Sequence, residues 1–123
     1  MPVRAIRGAT TASENSPEAI WEATQELLTT LLEANQLSQE AVVSAIFTVT
    51  PDLTAAFPAT AARRLGWDAI PLLDMQAPSV PHDVPRCIRV LLHVETTLPA
   101  QALRHVYLRQ ARQLRPEWAG GVL

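Results

Sequence analysis

The sequence predicts an α+β domain, a mixed sheet of about five strands packed on one long helix. Three observations carry that prediction. Residues 16–35 have the apolar spacing of a single amphipathic helix, while several short β-branched and apolar runs elsewhere are separated by turn residues. Two of those runs, "IFTVT" and "IRVLLHV", are apolar at successive positions, as strands buried on both faces are. One helix covers one sheet face, so the other face is expected to lie against further copies of the chain.

The elements follow in order. "VRAIRGATT" alternates Val3, Ala5 and Arg7 against Arg4, Ile6 and Gly8, which suits a first strand ending near Gly8, where glycine leaves backbone room beside Arg7. The helix starts with Ser16 as N-cap, Pro17 in its first position and Glu18 in its first turn, and Ile20, Thr24, Leu27, Leu28, Leu31 and Leu32 recur at helical spacing. "AVVSAIFTVT" is a second strand stopped by "PDL", and "PATAARRLG" a short helix from Pro58 to a cap at Gly66. "AIPLLDM" and "RCIRVLLHVET" are the third and fourth strands. "LPAQAL" suggests a helical turn, and "HVYLRQARQL" fits strand and helix equally. One domain is expected over residues 1–116, with 117–123 a loose tail.

Composition narrows the function. A chain of 123 residues, 48% hydrophobic with mean hydropathy +0.08, suits one globular domain. No apolar run approaches the roughly 18 residues of a membrane span and no signal-peptide core is visible, so a cytoplasmic protein is expected. Cys87 is the single cysteine, which excludes an internal disulfide framework. A net charge of −2 without a basic stripe argues against nucleic acid. His82, His93 and His105 lack metal-ligand spacing, so no metal is expected.

All ten cations are arginines. The absence of lysine removes Schiff-base chemistry and the P-loop lysine together. An anion bound here must be held by arginine, histidine or backbone N–H, and the arginine fork suits carboxylates and phosphates. Arg89 is the most conspicuous cation, because it interrupts the apolar strand "CIRVLLHV" on a face shared with Cys87, Leu91 and His93. A half-wet face would account for it, yet Arg7 ends the first strand and Arg63 and Arg64 lie on the short helix. Arginines at element ends in a chain without lysine are what a small dianion or dicarboxylate would need.

The strings "RAIRGATT", "TPDLTAAFPATAARRLGW", "PRCIRVLLHVETTLP", "LRHVYL" and "LRP", in register over residues 4 to 116, resemble the small monofunctional trimeric chorismate mutases of the pseudo-α/β-barrel type. The resemblance implies a homotrimer with sites at subunit interfaces, and the Claisen rearrangement of chorismate to prephenate on the route to phenylalanine and tyrosine. Such a reaction uses no nucleophile and no cofactor, and consists of holding a compact conformer and stabilising charge as an ether bond breaks.

The resemblance carries roles to particular positions. Arg89 matches the strand arginine that donates to the breaking ether oxygen and a carboxylate. Arg7 matches a carboxylate-binding residue, with Tyr107 beside it. Phe57, Ala59, Arg63, Leu72, Leu114 and Arg115 match wall, mouth or tail positions, although Arg63 and Arg115 suit a solvated surface equally. His105 is expected to make a structural hydrogen bond.

The departures from the family pattern bear on mechanism. Ala77 stands where the family usually has a glutamate facing the ring, and Asp74 where it often has cysteine. Asp74 is the candidate replacement for that carboxylate. A turn over 74–77 would bring the two positions to one side, about 5 to 6 Å apart, whereas extended backbone would put them on opposite faces, about 10 Å apart. The other reading is that Asp74 caps a turn. Thr60 replaces a common lysine, which makes the entrance less cationic. A trimeric module that binds a carboxylate metabolite without converting it would look alike at this level. No regulatory domain is visible, so feedback control by an aromatic amino acid is not expected.

Overall fold

The computed structural model describes residues 1–119. Strands β1 (Val3–Thr11), β2 (Val42–Val49), β3 (Leu72–Gln76), β4 (Cys87–Glu95) and β5 (Val106–Tyr107) form one sheet in the order β3-β2-β4-β1-β5. β4 runs antiparallel to both β1 and β2, while β3 is parallel to β2 and β5 parallel to β1. The α+β class, the five strands and the interior positions of β2 and β4 agree with the sequence reading.

Helix α1 (Pro17–Ala34) begins as its residues dictate: the Ser16 hydroxyl accepts from the Ala19 N–H at 3.2 Å, satisfying one of the unpaired first-turn donors. It buries Ile20, Thr24, Leu27, Leu28 and Leu31 against the sheet. Thr24 is accommodated because its hydroxyl donates to Ile20 O at 2.7 Å. The helix is held at its far end by Asn35, whose amide donates to Leu31 O at 2.8 Å and Arg104 O at 3.0 Å and accepts from Arg104 N–H at 2.7 Å.

The pairing register sorts the sheet into two faces. Ile6, Gly8, Phe47, Val90, Leu92, Val94, Leu72 and Asp74 point to the helix layer, where α1 and α2 (Pro58–Arg64) close the main core. Arg7, Ala9, Thr48, Arg89, Leu91, His93, Leu73, Met75 and Tyr107 share the other face. Among the described residues, no helix layer covers its β3 edge, where Leu73 is 55% and Met75 51% exposed.

Two local expectations change. β1 runs on past Gly8 to Thr11, because Ala9, Thr10 and Thr11 pair with Arg89, Ile88 and Cys87. Gly8 serves helix packing rather than Arg7: a Cβ there would lie 2.8 Å from Leu31 Cδ1 and 3.1 Å from Leu27 Cδ1. Gly66 does have the conformation its residue type suggests, with φ +93, one position beyond the Leu65 cap of α2.

The ambiguous C-terminal stretch resolves into the two-residue β5 followed by a 3-10 segment, Arg109–Gln113. "LPAQAL" supplies a 3-10 turn at Ala100–Ala102. Of the tail expected at 117–123, residues 117–119 belong to the short helix α3 (Pro116–Ala119), and 120–123 lie outside the described residues.

Candidate active site

The expected site residues fall into two groups on opposite faces of the sheet. The first lies on the face that carries Arg89. Arg89 and Ala9 are direct partners across β4 and β1, Arg7 lies opposite Leu91, and Tyr107 pairs with Ala9 from β5. The Arg7 guanidinium carbon stands 6.0 Å from the centre of the Tyr107 ring. Burial raises the Tyr107 phenol above its ordinary pKa, while Arg7, Arg115 and Arg89 pull in the other direction. Arg7 on β1 and Arg89 on β4 thus share a sheet face with Tyr107. Leu114 packs on the same apolar cluster, with Tyr107, Cys87, Val84 and Ala111.

Beside Arg89 opens a cavity of about 640 Å³, lined by Thr48, Met75, Gln76, Ala77, Asp83 and Arg89 among others. Arg89 donates through Nη2 to Asp83 Oδ1 at 3.1 Å, with both side chains about three-quarters buried (22% and 23% exposed). Burial pushes the neighbouring Cys87 thiol up to about 11, against the lowering effect of Arg89, so it stays neutral.

The second group gathers where α2 meets β3 on the helix side. Phe57, at the N-cap of α2, is 67% exposed, and Ala59 is buried in the first turn. A cavity of about 450 Å³ is lined here by Phe57, Thr60, Asp74, Met75 and Gln76, among others. Arg63 lies a turn further along α2, and its Nη2 donates to Thr60 Oγ1 at 3.4 Å. Leu72 faces the main core rather than open space.

Asp74 lies within extended β3, in register with Phe47, and its Oδ1 accepts from the Ala59 N–H at 3.0 Å. It caps the start of α2. Desolvation raises its pKa, opposed by the Ala59 N–H and by Arg63. The Ala77 N–H donates to Val49 O at 2.8 Å, prolonging the strand pairing, and Ala77 lines the Arg89 cavity. The turn that would bring Asp74 round to the side of Ala77 within one chain is not formed.

His105 accepts the Arg7 backbone N–H on Nδ1 at 3.0 Å, the structural hydrogen bond expected of it. Burial, with Arg7 and Arg115 adding to it, holds its pKa below the ordinary imidazole value. An unfolded chain takes up that proton near pH ~6.5, whereas the folded chain resists it. The contribution to stability is present above that pH and lost as pH falls from there through the depressed folded value. His105→Gln is expected to flatten this acid limb, read as the urea midpoint at neutral pH and below the imidazole range.

The comparisons with known proteins bear on this geometry. The family model for chorismate mutase type I matches residues 3–118. The chain belongs to the chorismate mutase type I family. The chorismate mutase AroH of Thermus thermophilus is 53% identical over 116 residues, covering 94% of this chain and 95% of the relative. That of Bacillus subtilis strain 168 is 42% identical over 118 residues, covering 95% and 93%. A solved chorismate mutase from Clostridium thermocellum superposes with TM-score 0.88 at 46% identity, covering 89% of this chain and 98% of the other.

Two residues of the Arg89 cavity, Thr48 and Asp83, escape the sequence reading. Thr48 was legible as the strand position facing Arg89 only once the β2–β4 register was known. Asp83 lies in the β3–β4 loop, whose path no periodicity describes.

Proposed function

We infer that this chain rearranges chorismate to prephenate in a single pericyclic step, with no covalent intermediate and no cofactor. The observation that carries the reading, together with family membership, is the placement of Arg7, Arg89 and Tyr107 on one sheet face. The substrate brings two carboxylates, and arginine forks on rigid strands hold both in the compact conformer that reaction requires. Arg89 donates to the ether oxygen as its bond breaks, so its attraction grows from ground state to transition state. Arg7 holds a carboxylate over Tyr107, and Leu114 and Arg115 close the mouth.

The complete site belongs to a homotrimer, the state in which the protein works in the cytoplasm. Arg89 and Asp74 face opposite sides of one sheet, which supports completing the Arg89 cavity with the Phe57, Ala59, Arg63 and Asp74 wall of an adjoining copy. Both cavities flank the end of the edge strand β3, sharing Met75 and Gln76. Leu73 and Met75, half exposed in one chain, are the apolar surface such a neighbour would cover. In this arrangement Asp74 caps α2 within the wall that meets the neighbour's site.

A binding module that captures a carboxylate metabolite without converting it is not favoured, since relatives at 53% and 42% identity are chorismate mutases. The deciding assay follows loss of chorismate and gain of prephenate with purified protein. Conversion far above the uncatalysed rate is expected; bound but unconverted chorismate would overturn the reading.

A further inference from the structure

We propose that Asp83 is the carboxylate of the Arg89 half-site, doing there what the side chain missing at Ala77 would do. The proposal rests on the mutase reading above. Asp83 is the only acidic side chain among the described residues lining the Arg89 cavity, and it borders the same space as Ala77. Asp74, the residue the sequence singles out for this task, points to the other face and is engaged at the start of α2.

Asp83 is held in place rather than loosely tethered. Its Oδ1 accepts from the Val84 N–H at 2.8 Å as well as from Arg89, and its own N–H donates to Val80 O at 3.3 Å. Pro78, Pro81 and Pro85 limit the loop, and His82 and Arg86 have left-handed backbone, with φ 65 and 51. Non-glycine residues keep that conformation only where their surroundings enforce it. At Arg86 those surroundings are visible: its N–H donates to Asp52 Oδ2 at 2.8 Å and its Nε to Ala12 O at 3.0 Å.

The chemistry gives a carboxylate at this point a definite signature. As the ether bond breaks, negative charge gathers on the oxygen that meets Arg89 and positive charge on the ring. A carboxylate one guanidinium away from that oxygen attracts the ring only as its charge develops, and it also fixes the direction of the Arg89 fork. In the ground state it repels a dicarboxylate substrate. Asp83 therefore raises turnover while weakening capture, a split that a merely structural residue does not produce.

The test uses full-length protein with chorismate. Asp83→Asn should lower kcat at least tenfold with KM unchanged or reduced, and adding Ala77→Glu to that variant should restore most of the loss. Ala77→Glu alone, which does not depend on the folding of an Asp83 variant, should raise KM with little gain in kcat because the carboxylate is already supplied. A tenfold or greater rise in kcat from Ala77→Glu alone, or full activity of Asp83→Asn, would overturn the proposal. Neither result touches the mutase reading, which stands or falls on conversion by the unaltered protein.

Discussion

Replacing Arg89 by alanine is expected to lower kcat by a hundredfold or more while leaving the chain folded. A donor aimed at charge that appears only in the transition state is worth on the order of 3 kcal/mol, which corresponds to about two decades in rate. The setting of Arg89 favours the upper part of such a range. It projects from the central strand β4, its side chain is mostly buried, and its fork is already aligned by Asp83. Alanine also leaves Asp83 beside the substrate with no cation to balance it, which adds repulsion to lost attraction. Arg89→Lys should fall between the two, since lysine keeps the charge and loses the planar fork. The fold should survive because Arg89 belongs to neither face of the main core. Steady-state kinetics with a circular dichroism control checks both halves of the expectation, and a loss below tenfold would contradict it.

Trp67→Ala is the substitution expected to cost most in stability, about 3 to 5 kcal/mol. Trp67 is buried in the main core with Phe47, Ala59 and Ala62, and its N–H donates to Ala62 O at 3.1 Å. Gly66, with its left-handed backbone, turns the chain so that the indole passes beneath α2. Small residues at Ala59 and Ala62 leave room for it, and their side chains are too short to fill the space left by alanine. Because α2 carries Ala59 and Arg63, activity should fall along with stability. Urea unfolding at fixed protomer concentration is the appropriate measurement, since the proposed association would contribute to the apparent value. A cost below about 1 kcal/mol would show that the core repacks.

Much of the fold was legible because its signals are local. Ser16, Pro17 and the leucine spacing define α1 without reference to anything else, and the alternation through "CIRVLLHV" places Arg89 on the correct face of β4. Gly8 was misread because the residue that needs its missing side chain, Leu31, is distant in sequence. "HVYLRQARQL" stayed ambiguous since two residues of pairing with β1 decide it, and that contact is tertiary.

The site was less legible than the fold for the same physical reason. Asp74 and Ala77 are three residues apart, a spacing that serves a turn or a strand equally, and only pairing with β2 selects the strand. Asp83 reaches Arg89 because two non-glycine residues of its loop adopt left-handed backbone, which their side chains do not announce.

The central claim is that one active site takes its arginine face from one copy and its α2–β3 wall from the next. Two inactive variants test it by exchange of subunits. One carries Arg89→Ala; the other carries Thr60→Glu with Arg63→Glu, changes on the solvent side of α2 that repel a dicarboxylate without entering the core. Unfolded together and refolded as a mixture, they should regain activity at about a quarter of the sites, the share in which random assembly brings two intact halves together. Activity no greater than the sum of the two parents would place both halves of the site in a single chain and contradict the account.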